Sequence, residues 1–321
     1  KTDNQMKTMI KKAGYFLAMF ALAACEPFDF EQEMGQKVIC IISDNDLVYT
    51  GMHDLNQSES TGYISINCGG SLQIDRDVDV TLEYAPEVLQ SYNKIKYDID
   101  QSKYAKELPS KYYSIAQMGV TLKAGSPDTY NVMPIQVKPE GLSPDSIYLI
   151  PLRIKSVSAY SVNPDKSQVL YQVQMKNLYA RTDEATIYNA AGKLQKEGES
   201  ERDAAASQTF HPLTKNSFRI FAGIKGYEKN EEVIKKNGII VTVNEDNSLT
   251  MKPYNADFIE VASINEEQPD YYGNYELADV YGGKKRQRFN FKYKYRFKGE
   301  SKWEIVDMRS LRSVTLDQIN E

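Results

Sequence analysis

Arg288-Phe289-Asn290-Phe291-Lys292-Tyr293-Lys294-Tyr295-Arg296-Phe297 sets an aromatic ring at every second position and a polar or basic side chain between them. Successive side chains of an extended strand point to opposite faces, so this spacing puts the rings on one side and the charges on the other. A helix, with 3.6 residues per turn, would scatter the same rings around its circumference. The stretch therefore reads as one long strand with a packed face and a wetted face.

The residues around it have the same texture. Segments 217–222, 238–243, 248–253, 258–264, 271–277 and 303–309 read as further strands, and Asn244-Glu245-Asp246-Asn247 as a hairpin turn. A strand at 185–188 reads as ending at Asn189-Ala190-Ala191-Gly192, and the charged, small-residue stretch 196–206 as a solvated loop. Long meandering strands predict a C-terminal antiparallel barrel, lipocalin-like, over 181–321, with an antiparallel sandwich as the alternative.

Upstream the strands are shorter and the turns closer. Runs at 37–43, 63–68, 75–84, 112–115, 119–124, 130–137, 147–157 and 168–175 are rich in Val, Ile, Thr and Tyr. Clusters such as Gly125-Ser126-Pro127-Asp128 and Ser143-Pro144-Asp145 separate them. One piece, 86–95, reads as a helix, because Pro86 suits a first turn and Val88, Leu89 and Tyr92 share a face. Many short strands with regular turns predict a two-sheet, immunoglobulin-like sandwich over 37–180. The whole chain is expected to be all-β.

The first 24 residues have another character. Lys7, Lys11 and Lys12 precede an apolar run of about a dozen residues that ends in Leu22-Ala23-Ala24-Cys25. This is the layout of a secretory signal, and it is shorter than the roughly 20 residues a spanning helix needs. The last four residues resemble a bacterial lipobox, which makes Cys25 the lipidated residue and 1–24 a signal peptide with upstream residues. The alternative is an ordinary secretory cut after Ala24. Removing this segment takes away four Lys and one Asp, moving the formal charge from −5 to −8. That acidity argues against a nucleic-acid partner. Residues 25–36 are polar and acidic, as expected of a tether between a lipid anchor and the folded body. Export would permit a disulfide between Cys40 and Cys68, with two thiols as the alternative.

Several runs, in order, carry a resemblance. Ile64-Ser65-Ile66-Asn67-Cys68-Gly69-Gly70, Asp79-Val80-Thr81-Leu82-Glu83-Tyr84, Leu142-Ser143-Pro144-Asp145-Ser146-Ile147-Tyr148 and Lys176-Asn177-Leu178-Tyr179-Ala180 are among them. They resemble the N-terminal sandwich domain of Bacteroidetes surface lipoproteins of polysaccharide-utilisation loci. A similar domain precedes the catalytic barrel of some Bacteroides endo-beta-N-acetylglucosaminidases. The second half resembles the companion domain, of unassigned function, that follows it in the same lipoproteins. The resemblance implies a noncatalytic protein on the outer face of the outer membrane, held by its lipid. Its implied partners are a glycan and a porin-type transporter with its partner lipoproteins.

Catalytic signatures are missing from the sequence. It has no Gly-x-Ser-x-Gly, no His-Glu-x-x-His and no phosphate-binding glycine loop. Its two histidines, His53 and His211, read as loop residues. Asp75, Asp77 and Asp79 share a strand face at a separation that glycosidase carboxyls use, yet acids on the wet face of an edge strand are more simply a solubility device. Asp44-Asn45-Asp46 and Asn244-Glu245-Asp246-Asn247 lack calcium-loop spacing and read as turns. No cofactor or metal is implied. Binding remains: 23 tyrosines offer flat faces for pyranose C–H groups. Tyr271, Tyr272, Tyr275 and Tyr281, in or beside Gly-rich sequence, and Trp303 are the expected glycan platform, each with a core role as its alternative. An adhesin or surface-assembly subunit acting through protein contacts is the alternative function.

Overall fold

The computed structural model describes residues 35–315 except 281 and 283. The expected lipid site Cys25 and platform residue Tyr281 lie outside the described residues. The first half contains β1 (Val38–Ile41), β2 (Val48–Asp54), β3 (Ser60–Gly69), β4 (Val78–Tyr84), α1 (Pro86–Tyr97), β5 (Lys106–Glu107), β6 (Tyr113–Ser114), β7 (Gly119–Leu122), β8 (Tyr130–Val137), β9 (Tyr148–Val157), β10 (Ser161–Val162) and β11 (Gln168–Lys176). They form two sheets, ordered β10-β1-β3-β8-β6 and β2-β11-β9-β4-β7. Alternate residues of each sheet meet in one core: Ile39, Ile64, Ile66, Met133 and Ile135 from the first, Val80, Leu82, Ile150, Leu152 and Tyr171 from the second. Val88 and Leu89 of α1 cover the outer face of the second sheet, against Leu149 and Leu170. This is the immunoglobulin-like sandwich.

The second half contains β12 (Thr186–Lys196), β13 (Arg202–Thr214), β14 (Ser217–Phe221), α2 (Glu231–Asn237), β15 (Gly238–Val243), β16 (Leu249–Pro253), β17 (Ile259–Ser263), β18 (Gly273–Val280), β19 (Lys284–Phe297) and β20 (Glu304–Thr315). One sheet runs β16-β15-β14-β13-β12-β20-β19-β17, with β18 also paired to β19. Its ends approach each other: Tyr272 N–H donates to Leu249 O at 3.1 Å and Tyr275 N–H to Asn247 O at 2.8 Å. The sheet is thus a nearly closed barrel. Its interior is solid, because Phe210 stacks on Tyr188 at 3.9 Å and on Phe218 at 4.4 Å, with Phe289 edge-on to all three.

Several expectations change. His53 lies buried in β2, and His211 lies half-buried in β13, so both belong to strands. Residues 189–192 continue β12 and 202–206 belong to β13, leaving a short turn where a longer loop is expected. The small residues there permit close strand approach: a Cβ on Gly192 would fall 2.2 Å from Asp307 O. A second helix, α2, is capped by the Asn230 side chain, which accepts from Glu232 N–H and Val233 N–H. Strand β4 lies inside its sheet, between β7 and β9, so Asp79 is not on an edge. The three acids have structural partners: Asp75 meets Arg76 and Tyr160, Asp77 meets Lys123, and Asp79 accepts from Thr121. Cys40 and Cys68 are thiols. Cys40 pairs with Asn67 and Cys68 with Ile39, a one-residue offset that turns the sulfurs to opposite faces of their sheet.

The connection between the two bodies is tied down. Asn177 Oδ1 accepts from Tyr179 N–H and Ala180 N–H, while its amide donates to Thr214 O at 2.7 Å and Ser217 O at 2.9 Å. Tyr179 enters the barrel core, its ring 5.2 Å from Tyr275 and 5.7 Å from Phe289.

Candidate functional site

The aromatic face of β19 is the barrel wall's inner side, and that fixes what its other side presents. Asn290 and Lys292 point outward, and the antiparallel register aligns them with outward residues of three neighbours. Ala191, Arg309, Asn290 and Asn274 lie in one row across β12, β20, β19 and β18. Lys193, Asp307 and Lys292 form the next row. On the other side run Asn189, Leu311, Arg288 and Glu276. At a strand spacing of about 4.8 Å, a four-strand row is about 14 Å long, the span of two to three sugar rings.

Side chains in the rows are ordered by one another. Arg309 Nε donates to Asn290 Oδ1 at 3.3 Å, and Asn290 Nδ2 donates to Asn274 Oδ1 and to Glu276 Oε1, both at 3.1 Å. Asn274 Nδ2 donates to Glu276 Oε1 at 3.0 Å, and Arg288 Nη1 to Glu276 Oε2 at 2.8 Å. The Asn274 amide first, then Arg288, hold the Glu276 carboxyl below the usual carboxylate range. Ala191 and Gly192 contribute almost no side-chain volume, and a groove of about 880 Å³ opens over these rows with Tyr271 on its wall. Amides, a guanidinium and ammonium groups donate and accept along its floor. Such a floor holds a polyhydroxylated or charged ligand by hydrogen bonds.

The expected platform separates. Tyr271 is half-buried and lines the groove. Tyr272 packs against the barrel core, and its backbone bridges Leu249 and Lys292 across the seam. Tyr275 is 6% exposed, with its ring 4.8 Å from Phe289, so it is core and offers no face to a ligand. Trp303 stands on the same outer side, further along β19, but its ring is covered by Arg296 at 4.6 Å and Lys294 at 5.4 Å. Tyr271 is brought together instead with Asn274, Asn290 and Arg309, which sequence reading did not single out as binding residues. Their signal was present as the polar half of the alternation, but only the register aligns it across strands.

Family models match both halves of the chain: one described as an N-terminal domain matches residues 36–161, and one described as C-terminal matches residues 167–309. No match is found among curated protein sequences. Among solved structures, a Bacteroides ovatus protein of unknown function has a TM-score of 0.66 at 18% identity, covering 87% of this chain and 96% of its own. An auxiliary nutrient binding protein from Bacteroides thetaiotaomicron has a TM-score of 0.58 at 14% identity, covering 86% and 94%. EndoBT-3987 from Bacteroides thetaiotaomicron, solved with Man5GlcNAc product, matches 39% of this chain and 28% of its own at 16% identity, with a TM-score of 0.32. The models follow one another in the order of the two folded bodies, and the full-length neighbours share that arrangement. The chain belongs to the family of Bacteroides proteins in which this immunoglobulin-like N-terminal domain is followed by this C-terminal companion domain.

Proposed function

We propose that this protein is a noncatalytic, surface-displayed nutrient-binding protein that captures oligo- or polysaccharide in the outer groove of its barrel. The observation that carries the reading is the hydrogen-bonded row Arg309–Asn290–Asn274 beside Tyr271 in an open groove. Sugar hydroxyls both donate and accept, as amides do, and the pyranose C–H face stacks on a tyrosine ring. A structural neighbour that is an auxiliary nutrient binding protein supports the same reading. On the sequence evidence, Cys25 carries the lipid, 25–36 is the tether, and the body faces the exterior of the outer membrane. There it would pass glycan to a porin-type transporter and its partner lipoproteins.

The test is an affinity gel or titration calorimetry with the soluble chain from Glu26 onward against a panel of host and plant polysaccharides. Retention on at least one, weakened tenfold or more by Tyr271→Ala or Asn290→Ala, is expected. No retention on any at millimolar sensitivity overturns the reading. Palmitate labelling that persists in Cys25→Ser would overturn the anchor.

One observation favours an adhesin or assembly subunit instead. Tyr63, Tyr130, Val132 and Ile42 are 48, 52, 37 and 42% exposed on the outer face of the first sheet. An apolar face of this kind is a contact surface in many assemblies. A defined oligomer in light scattering that dissociates in Tyr63→Glu/Tyr130→Glu would support it; a monomer would not.

A further inference from the structure

We infer that the ligand of the barrel groove is acidic, a glycan bearing carboxylate or sulfate groups. The inference rests on the glycan-binding reading and sharpens it. Although the chain carries a net charge of −5, the groove is lined by Lys193, Lys292 and Arg309 against a single carboxylate, Asp307. An adjoining depression of about 450 Å³ shares Asn189 and Leu311 with the groove, adds Arg286 and Arg312, and contributes no acid.

Pairing makes the contrast sharper. In the row beside the groove floor, the Glu276 carboxylate is already paired with Arg288, and elsewhere on the barrel Arg296 is paired with Glu260, Arg202 with Glu304 and Lys285 with Asp279. Arg309 uses only Nε, on the neutral Asn290, and neither it nor Arg286 has a carboxylate partner among the described residues. Lys292 lies 3.7 Å from Asp307, a loose contact, and Lys193 turns to Asp203 at the rim. Arg312 also reaches the Tyr188 ring at 6.0 Å. In a chain with 44 acidic residues, Arg309 and Arg286 thus keep guanidinium groups without a carboxylate partner among the described residues, on the outer face of the barrel in the groove and the depression beside it. A guanidinium with its outer nitrogens available matches carboxylate and sulfate oxygens in a two-pronged geometry. Tyr271 and the Asn row would read the sugar ring and hydroxyls between those charges, which distinguishes an acidic glycan from other polyanions.

The test uses the soluble chain in affinity electrophoresis against polygalacturonate, carboxyl-reduced polygalacturonate, chondroitin sulfate, neutral dextran and mannan, and double-stranded DNA. Retention on polygalacturonate or chondroitin sulfate is expected, falling at least tenfold between 50 and 500 mM salt, where exposed charges are screened (Debye lengths of roughly 14 and 4 Å). Retention on polygalacturonate alone assigns the carboxylate; retention on chondroitin sulfate alone, lost when that polymer is desulfated to leave only its uronate carboxylates, assigns the sulfate. Arg309→Ala and Lys292→Glu should abolish it while melting at the wild-type temperature, and Arg309→Lys should keep part of it. Retention on a neutral glycan alone, unchanged in Arg309→Ala, overturns the acidic ligand and leaves glycan binding standing. Equal retention on DNA and the acidic glycans overturns it too, since charge without sugar would then suffice. Retention on nothing overturns both readings.

Discussion

Asp145, in the turn before β9, and Arg219, in the middle of β14, are joined by a two-pronged ion pair of 2.6 and 2.7 Å that bridges the sandwich and the barrel. The Arg219 side chain is fully buried. Tyr227 Oη donates to Asp145 Oδ1 at 3.0 Å, and the Arg219 guanidinium lies 5.1 Å from the centre of the Tyr254 ring. Burial pushes the Asp145 carboxyl up, but the Arg219 hydrogen bonds and charge outweigh it and hold the group below the usual range.

Removing one partner strands the other charge out of water. Asp145→Ala is expected to destabilise the protein by about 3–5 kcal/mol, and the double replacement Asp145→Leu/Arg219→Met by much less. Urea unfolding of the three variants checks this; a loss under about 1 kcal/mol in Asp145→Ala would contradict a dry pair.

Stability should fall on acidification before the carboxylates titrate. Burial lowers His53 to about 4, and burial together with the Arg219 charge lowers His211 to about 4, from an ordinary 6.5. Between those values the unfolded chain binds protons that the native histidines refuse. Their contribution is therefore complete above 6.5 and is lost as pH falls to 4, by at most about 1.4 kcal/mol per pH unit for each histidine. Asp145 extends the loss below the ordinary carboxylate range. Urea midpoints at constant ionic strength should drop steadily from pH 6.5 to 4; a flat profile from 7 to 5 would refute the assignment.

Tyr171 fixes two glycines. Its hydroxyl bonds His53 Nε2 at 2.9 Å, and a Cβ at Gly51 or Gly62 would fall 1.8 or 1.6 Å from the same oxygen. Gly62→Ala should cost about 1–3 kcal/mol or more through overpacking. Tyr171→Phe should cost about 1–3 kcal/mol by leaving His53 Nε2 unpaired. In a Tyr171→Leu background the Gly62→Ala cost should shrink, and a double-mutant cycle in thermal melts reads that coupling. Strict additivity would mean the ring does not set the glycine.

Tyrosines four residues apart should behave oppositely. Tyr275→Ala empties a site among Tyr179 and Phe289 and should destabilise by about 3–5 kcal/mol. Tyr271→Ala should leave the melting temperature within a degree or two and lower glycan retention instead. Paired melts and affinity gels separate the two, and the reverse pattern would exchange their roles.

Which parts of this architecture are legible in the chain follows from the range of the signal. The alternation in Phe289 to Phe297 is local, and a strand with one dry face is the conformation that buries all five rings together. The same reasoning finds the 130–137 and 238–243 strands at the bounds they have, and the Pro86 helix start. It fails at His53 and His211, where a histidine surrounded by Gly, Met, Asp or Pro carries no periodic signal, and at 189–206, where small residues serve close strand packing as well as they would serve a loop.

Residue spacing alone makes the protein all-β, with an immunoglobulin-like half before a barrel-like half, because it dictates which face each side chain takes. The remaining features come from how the strands pair and curve. Which tyrosine is core and which is wall depends on where the barrel curves and closes, and the Asn274–Asn290–Arg309 row exists only in the register of three strands. Asp145 and Arg219 meet across 74 positions because two folded bodies dock there. Such contacts depend on three-dimensional proximity, and no local pattern in the chain encodes it.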